Sequence, residues 1–85
     1  MCSKKDWKNW ETWNVALWFN NDEGLYRKVR RHDGRFTSAK AEEFVIDTLP
    51  SGTPDMRDLS EEELHAAWSK VSWREIASAF NEMRS

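Results

Sequence analysis

Apolar residues recur along this chain with the 3.6-residue period of helices, and no stretch shows the sustained alternation of a strand. Trp10, Trp13, Leu17 and Trp18 follow the i, i+3, i+7, i+8 spacing of one inward face. Asn9 stands where an N-cap belongs, and Glu11 falls in the first turn, where the helix dipole favours a carboxylate. Asn20, Asn21 and Asp22 break the pattern. Asp22 predicts the cap of a second helix, with Leu25, Tyr26 and Val29 inward, basic residues outward and Gly34 just past its end. Thr37 or Ser38 caps a third, in which Ala41, Phe44, Val45 and Leu49 repeat and Pro50 stops the helix. Phe36 is placed to fold back on Ala41.

Residues 50–58 read as a loop, with two prolines, a glycine and polar residues between periodic segments. The last third carries two capping signatures. Ser60-Glu61-Glu62-Glu63 is a capping box, with Leu59 and Leu64 as its hydrophobic staple. Ser72-Trp73-Arg74-Glu75 repeats the box, with Val71 and Ile76 as the second staple. Ala67, Trp68 and Val71 continue one apolar face; Trp73, Ile76, Ala77, Phe80 and Met83 form the last. The pattern predicts an all-α fold: a flexible basic leader over residues 1–8, then a single small domain of four to five short helices over residues 9–85.

Composition agrees with this outline. The chain has 85 residues, of which 39% are hydrophobic and 33% charged. That suffices for one domain with a modest core and a wet surface. The longest apolar run, Val15 to Phe19, is far short of the ~20 residues that cross a bilayer. Nothing near the N-terminus resembles the apolar core of a secretory signal. The single cysteine, Cys2, allows no internal disulfide, which fits a reducing cytoplasm. Six tryptophans are unusual for this length. Trp10, Trp13, Trp68 and Trp73 are expected on inward faces, while Trp7 and Trp18 fall between core and surface.

Charge changes the picture. The net charge is −2, but residues 1–40 carry nine Lys and Arg against five Asp and Glu, and residues 41–85 carry four against ten. Arg27, Lys28, Arg30, Arg31 and Arg35 form a dense basic segment suited to phosphates. The alternative is a basic helix end complementing its own dipole. Overall acidity argues against a dedicated duplex binder. Asp55, Asp58, Glu61 and Glu62 form an acidic run at a loop-to-helix junction, with Glu63 reserved for its capping box.

No catalytic or cofactor pattern emerges, and none is expected. His32 and His65 are far apart and no Cys/His spacing suits zinc. Gly24, Gly34 and Gly52 make no phosphate-binding loop. The stretch Ser72 to Ala77 is like the first helix of a helix-turn-helix, but the sequence beyond it is too short for a recognition helix.

Two motifs carry a resemblance. Asn9-Trp10-Glu11-Thr12-Trp13-Asn14-Val15-Ala16-Leu17-Trp18, continuing into Asn20-Asn21-Asp22-Glu23, resembles the N-terminal signature of a family of small phage and plasmid proteins. Val71-Ser72-Trp73-Arg74-Glu75-Ile76-Ala77 is similar to that family's closing helix. Together they cover about a third of the chain, and residues 27–60 depart from the pattern. The resemblance implies an origin in a mobile genetic element and an association with genes that counter restriction and CRISPR defence. It carries no catalytic residues. The implied function is a non-enzymatic, anti-CRISPR-like inhibitor acting in the bacterial host cytoplasm. Its implied partner is a host defence nuclease or ribonucleoprotein complex. The carboxylates of Asp55, Asp58, Glu61 and Glu62 are the expected contact, since they complement a basic nucleic-acid groove. The alternative is a small nucleic-acid-binding accessory protein using Arg27, Lys28, Arg30, Arg31 and Arg35.

Overall fold

Side-chain caps start four of the five helices. The computed structural model describes residues 7–84. They form α1 (Trp10–Asn21), α2 (Glu23–Arg31), α3 (Ser38–Thr48), α4 (Glu61–Lys70) and α5 (Trp73–Met83), with a 3-10 turn at Pro54–Met56. Asn9 Oδ1 accepts the Thr12 N–H at 2.9 Å, and Asp22 Oδ1 accepts that of Leu25 at 3.1 Å. Thr37, rather than Ser38, caps α3 by accepting from Lys40 N at 3.2 Å. Ser60 and Glu63 form both halves of a capping box, at 3.2 and 3.1 Å. Each bond satisfies an amide that the first helical turn leaves without a partner.

The second expected box does not form. Ser72 is the N-cap of α5, but its side chain makes no capping bond. Its own N–H donates instead to Thr12 Oγ1 at 2.8 Å. Glu75, the expected reciprocal partner, accepts the Lys8 N–H at 3.0 and 3.2 Å. Both groups of the local box are thus taken by partners more than 55 residues away in sequence. Ser60→Ala is therefore expected to cost ~1 kcal/mol and lower Tm by ~4–8 °C. Ser72→Ala should move Tm by less than half as much in the same thermal melt; an equal loss would restore the local box.

α5 lies at the centre and packs on α1, α2 and α3, while α1 also packs on α2 and α4. A radius of gyration of 11.9 Å is that of a single domain of this length. Phenylalanines form the centre of the core, with Trp68 as its buried tryptophan. Phe19 and Phe36 each lie 5.0 Å from Phe80, ring centre to ring centre, and Phe44 lies 5.3 Å from Phe36. His32 stacks on Phe36 at 3.9 Å, extending the cluster outward. Val15, Val29, Val45, Met56, Trp68 and Ile76 fill the rest.

The inward face of α1 differs from the expected one. Thr12, Val15, Ala16 and Phe19 are buried, at i, i+3, i+4 and i+7, whereas Trp10, Trp13, Leu17 and Trp18 are half-buried on the flanks. Trp68 is buried as expected, but Trp73 is half-buried, as is Trp7. Apolar residues nearly encircle α1, so periodicity alone cannot orient it. An indole is also too large to be wholly enclosed at most positions of a small domain.

Residues 1–6, most of the expected flexible leader, lie outside the described residues. Trp7 packs against the core, and Lys8 is tied to Glu75 as above.

Candidate functional site

The acidic run sits on a loop braced from beneath. Gly52 turns at φ +87°, a conformation that favours glycine, and a Cβ there would meet Leu64 Cδ1 at 2.8 Å. Thr53 and Met56 are both 1% exposed and pin the two sides of the Pro54–Met56 turn to the interior. The Thr53 hydroxyl donates to the buried Asn14 Oδ1. Asn14 Nδ2 in turn donates to Asp55 Oδ2 at 2.7 Å, and Trp18 Nε1 donates to the same oxygen at 2.9 Å. These two bonds, that from Asn14 foremost, hold the Asp55 carboxyl below its ordinary value.

Asp55 thus anchors the loop while remaining on the surface. Asp58, Glu61 and Glu62 are exposed at the loop-to-helix junction and make no hydrogen bond or ion pair among the described residues. Glu63 is committed to its capping box, and bonds from Ser60, backbone first and hydroxyl second, lower its carboxyl as well. Leu59 stands in the middle of this edge. It is 37% exposed, and among the described residues it is the exposed large apolar side chain. Its staple partner Leu64 packs against the core instead.

The basic segment divides in two. Arg27 pairs with Glu23 at 2.5 Å. Arg30 donates to the Met83 carbonyl at 3.0 Å and to Tyr26 Oη at 3.3 Å, fastening α2 to the end of α5. Lys28, Arg31 and Arg35 are exposed with no hydrogen bond or ion pair among the described residues. α1 packs against both α2 and α4, which separates the cationic edge from the acidic one.

The long-range bonds of the polar residues at α1 are not visible in the sequence. Asn9 caps α1 as expected and also donates to the Lys70 carbonyl at 2.6 Å, while Thr12 holds Ser72. Asn14 joins Thr53 to Asp55. The available signal was two small polar residues inside an otherwise apolar helical stretch, where each must find a buried partner. Among the described residues no three His, Cys, Asp or Glu side chains group to hold a metal ion. No helix is long and apolar enough to cross a membrane, again among the described residues.

A family match spans residues 5–85, almost the whole chain. The chain belongs to DUF7249, a family of unknown function. Comparisons with curated proteins and with solved structures found no match. In this DUF7249 member the Asn14–Thr53–Asp55 clasp predicts a pH signature. The folded-state pKa of Asp55 lies below its unfolded value of about 3.9, so its stabilisation is present above that pH and lost as pH falls through the folded value. Asp55→Asn should therefore have a lower urea midpoint than wild type at neutral pH. The gap should narrow as pH falls below the ordinary carboxylate range; a constant gap would mean that the carboxylate charge contributes nothing.

Proposed function

We propose that this DUF7249 protein is a non-enzymatic anti-defence inhibitor, acting in the bacterial cytoplasm on a host defence nuclease or ribonucleoprotein complex by protein–protein contact. One observation carries the choice of surface. Leu59, the exposed large apolar side chain among the described residues, stands between Asp58 and Glu61–Glu62. An apolar anchor ringed by charge is the usual anatomy of a protein interface. The carboxylates suit a basic groove built for phosphates, and they steer encounter as well as contact. Asp55 adds its charge and, through Asn14 and Trp18, fixes the loop that presents the edge. The choice of a defence target rests on the resemblance of the two terminal motifs to small phage and plasmid proteins.

The test expresses the chain in bacteria with an active CRISPR or restriction system and counts plaques of a targeted phage. Plating should recover with the wild-type chain. Charge reversal at Asp58, Glu61 and Glu62 should abolish the recovery with helicity unchanged by circular dichroism. Leu59→Ala should weaken capture of the target from nuclease-treated lysate by about 1 kcal/mol or more. Recovery that survives acid reversal but fails with Lys28→Glu and Arg31→Glu would move the contact to the basic edge. No recovery in any such strain would remove the anti-defence reading.

A further inference from the structure

The segment between α2 and α3 is clamped to the end of α5. Asn81 Oδ1 accepts the Phe36 N–H at 2.9 Å, and Asn81 Nδ2 donates to the Phe36 carbonyl at 3.0 Å. Arg84, at the C-cap of α5, donates through Nη1 to the Gly34 carbonyl. Its guanidinium carbon lies 5.8 Å from the centre of the Phe36 ring. Phe36 is buried, so the clamp is fixed to the core. A cleft of about 380 Å³ opens here, lined by Gly34, Arg35, Asn81 and Arg84. That volume is within the range of small-molecule sites. Gly34 turns at φ +83°, and nothing lies within 4 Å of where a Cβ would stand, so the glycine leaves its wall open.

Both charged residues of this cleft are arginines. Arg35 is exposed and makes no hydrogen bond or ion pair among the described residues. Arg84 commits Nη1 to Gly34, and among the described residues no carboxylate pairs with it. The neighbouring carboxylates belong to other clefts: Asp33 lines one beside His32 and Phe44, and Glu82 lines one beside Trp7. The negative end of the α5 dipole accounts for a cation at Arg84. It does not account for Arg35, which comes from a different segment and adds a second positive charge to the same cleft. A cleft lined by one sign of charge concentrates ions of the other.

We propose that this cleft binds a phosphate dianion, free or at the end of a small phosphate monoester, with Arg35 and the unbonded Nη2 of Arg84 as its donors. Two guanidiniums match a dianion in charge, and the planar fork of Arg35 offers paired N–H groups to two oxygens of a tetrahedral anion. Arg84 is held in place by Gly34 before the anion arrives, which reduces the ordering that binding must impose. Asn81 positions the wall, with both ends of its amide engaged by Phe36. The proposal does not rest on the acidic-edge reading, since none of that edge's residues lines the cleft.

The test titrates the full chain with ribose 5-phosphate at low salt and neutral pH, and follows the backbone amides by NMR. Inorganic phosphate, dimethyl phosphate and ribose are run alongside. Saturable shifts should centre on Gly34, Arg35, Asn81 and Arg84. Dimethyl phosphate keeps the tetrahedral group but carries a single charge, and it should bind at least about fivefold more weakly than ribose 5-phosphate. Ribose should not bind. Tighter binding of ribose 5-phosphate than of inorganic phosphate assigns the site to a monoester, and the reverse order assigns it to the free ion; either supports the proposal. Arg35→Gln should weaken binding about tenfold or more, as for the loss of a hydrogen bond between charged groups. Its Tm should stay at the wild-type value, because the side chain is exposed and unbonded. Arg84→Lys keeps the charge but not the fork, and should weaken binding as well. If that variant loosens the clamp, Arg35→Gln still decides. No saturable shift with either phosphate at millimolar concentration overturns the proposal, as does equal binding of dimethyl phosphate or wild-type affinity in Arg35→Gln. So do shifts centred on Lys28 and Arg31, which would place the anion on α2 instead.

Discussion

Phe80→Ala is expected to cost about 3–5 kcal/mol and to leave this domain largely unfolded at 37 °C. Phe80 is wholly buried on α5 and meets Phe19 of α1 and Phe36 before α3, each at 5.0 Å, and Phe44 of α3 at 5.9 Å. Truncating it removes the ring that joins three segments and opens a cavity that neighbouring rings cannot close without leaving their own contacts. A domain of this length has about 4–13 kcal/mol of total stability, so the loss is about a quarter of it or more and reaches the whole at the lower end. Urea unfolding followed by circular dichroism should show the midpoint collapse with little change in slope. Trp10→Ala serves as the comparison, since its indole is half-buried at the flank. If Trp10→Ala proves the costlier change, the core is centred on tryptophan after all.

Asn14→Asp is expected to destabilise nearly as strongly at neutral pH, and to recover on acidification. The substitution keeps shape and keeps an acceptor for the Thr53 hydroxyl. The amide nitrogen it replaces lies 2.7 Å from Asp55 Oδ2, so two carboxylate oxygens would face each other beside a buried side chain. Like charge and burial both push the folded-state pKa of the new carboxyl up. A raised folded pKa gives a penalty that is absent below the unfolded value of about 3.9 and grows as pH rises toward the folded one. The penalty at neutral pH should be about 3 kcal/mol or more, the range for an uncompensated buried charge. Asn14→Ala should cost less, about 1–3 kcal/mol, for the Thr53 hydroxyl left without its partner, and its gap from wild type should narrow with acid only by the share that the lost bond to the Asp55 carboxylate contributes. A flat pH profile for Asn14→Asp would mean that Asn14 and Asp55 are not in contact.

The helix starts were legible in the sequence because a cap is a local device. Asn9, Asp22, Thr37, Ser60 and Ser72 each stand at the N-cap of a helix, and four of them bond an amide three residues on. That interaction needs no knowledge of the rest of the chain. The all-α class followed from the same local signals together with the apolar period. The candidate site was legible only in part. The exposed carboxylates at 58, 61 and 62 could be read from a polar run before a capping box, but Leu59 was assigned to a staple and proved exposed.

What the tertiary structure decided is everything that depends on partners distant in sequence. Thr12 and Asn14 gave no sign of which groups they hold, because their partners Ser72, Thr53 and Asp55 are 39 to 60 residues away. The second capping box was a valid local pattern displaced by those contacts: Ser72 N–H and the Glu75 carboxylate each found a partner brought in by packing. The inward face of α1 was undetermined by its own residues, since a helix apolar nearly all round has no preferred side. Only the choice between four phenylalanines and six tryptophans for the limited interior of an 85-residue chain settled it. Sequence alone determined where this protein's helices begin and that they are helices. The fold determined which residues face inward, because burial is a property of the assembled interior and not of any one segment.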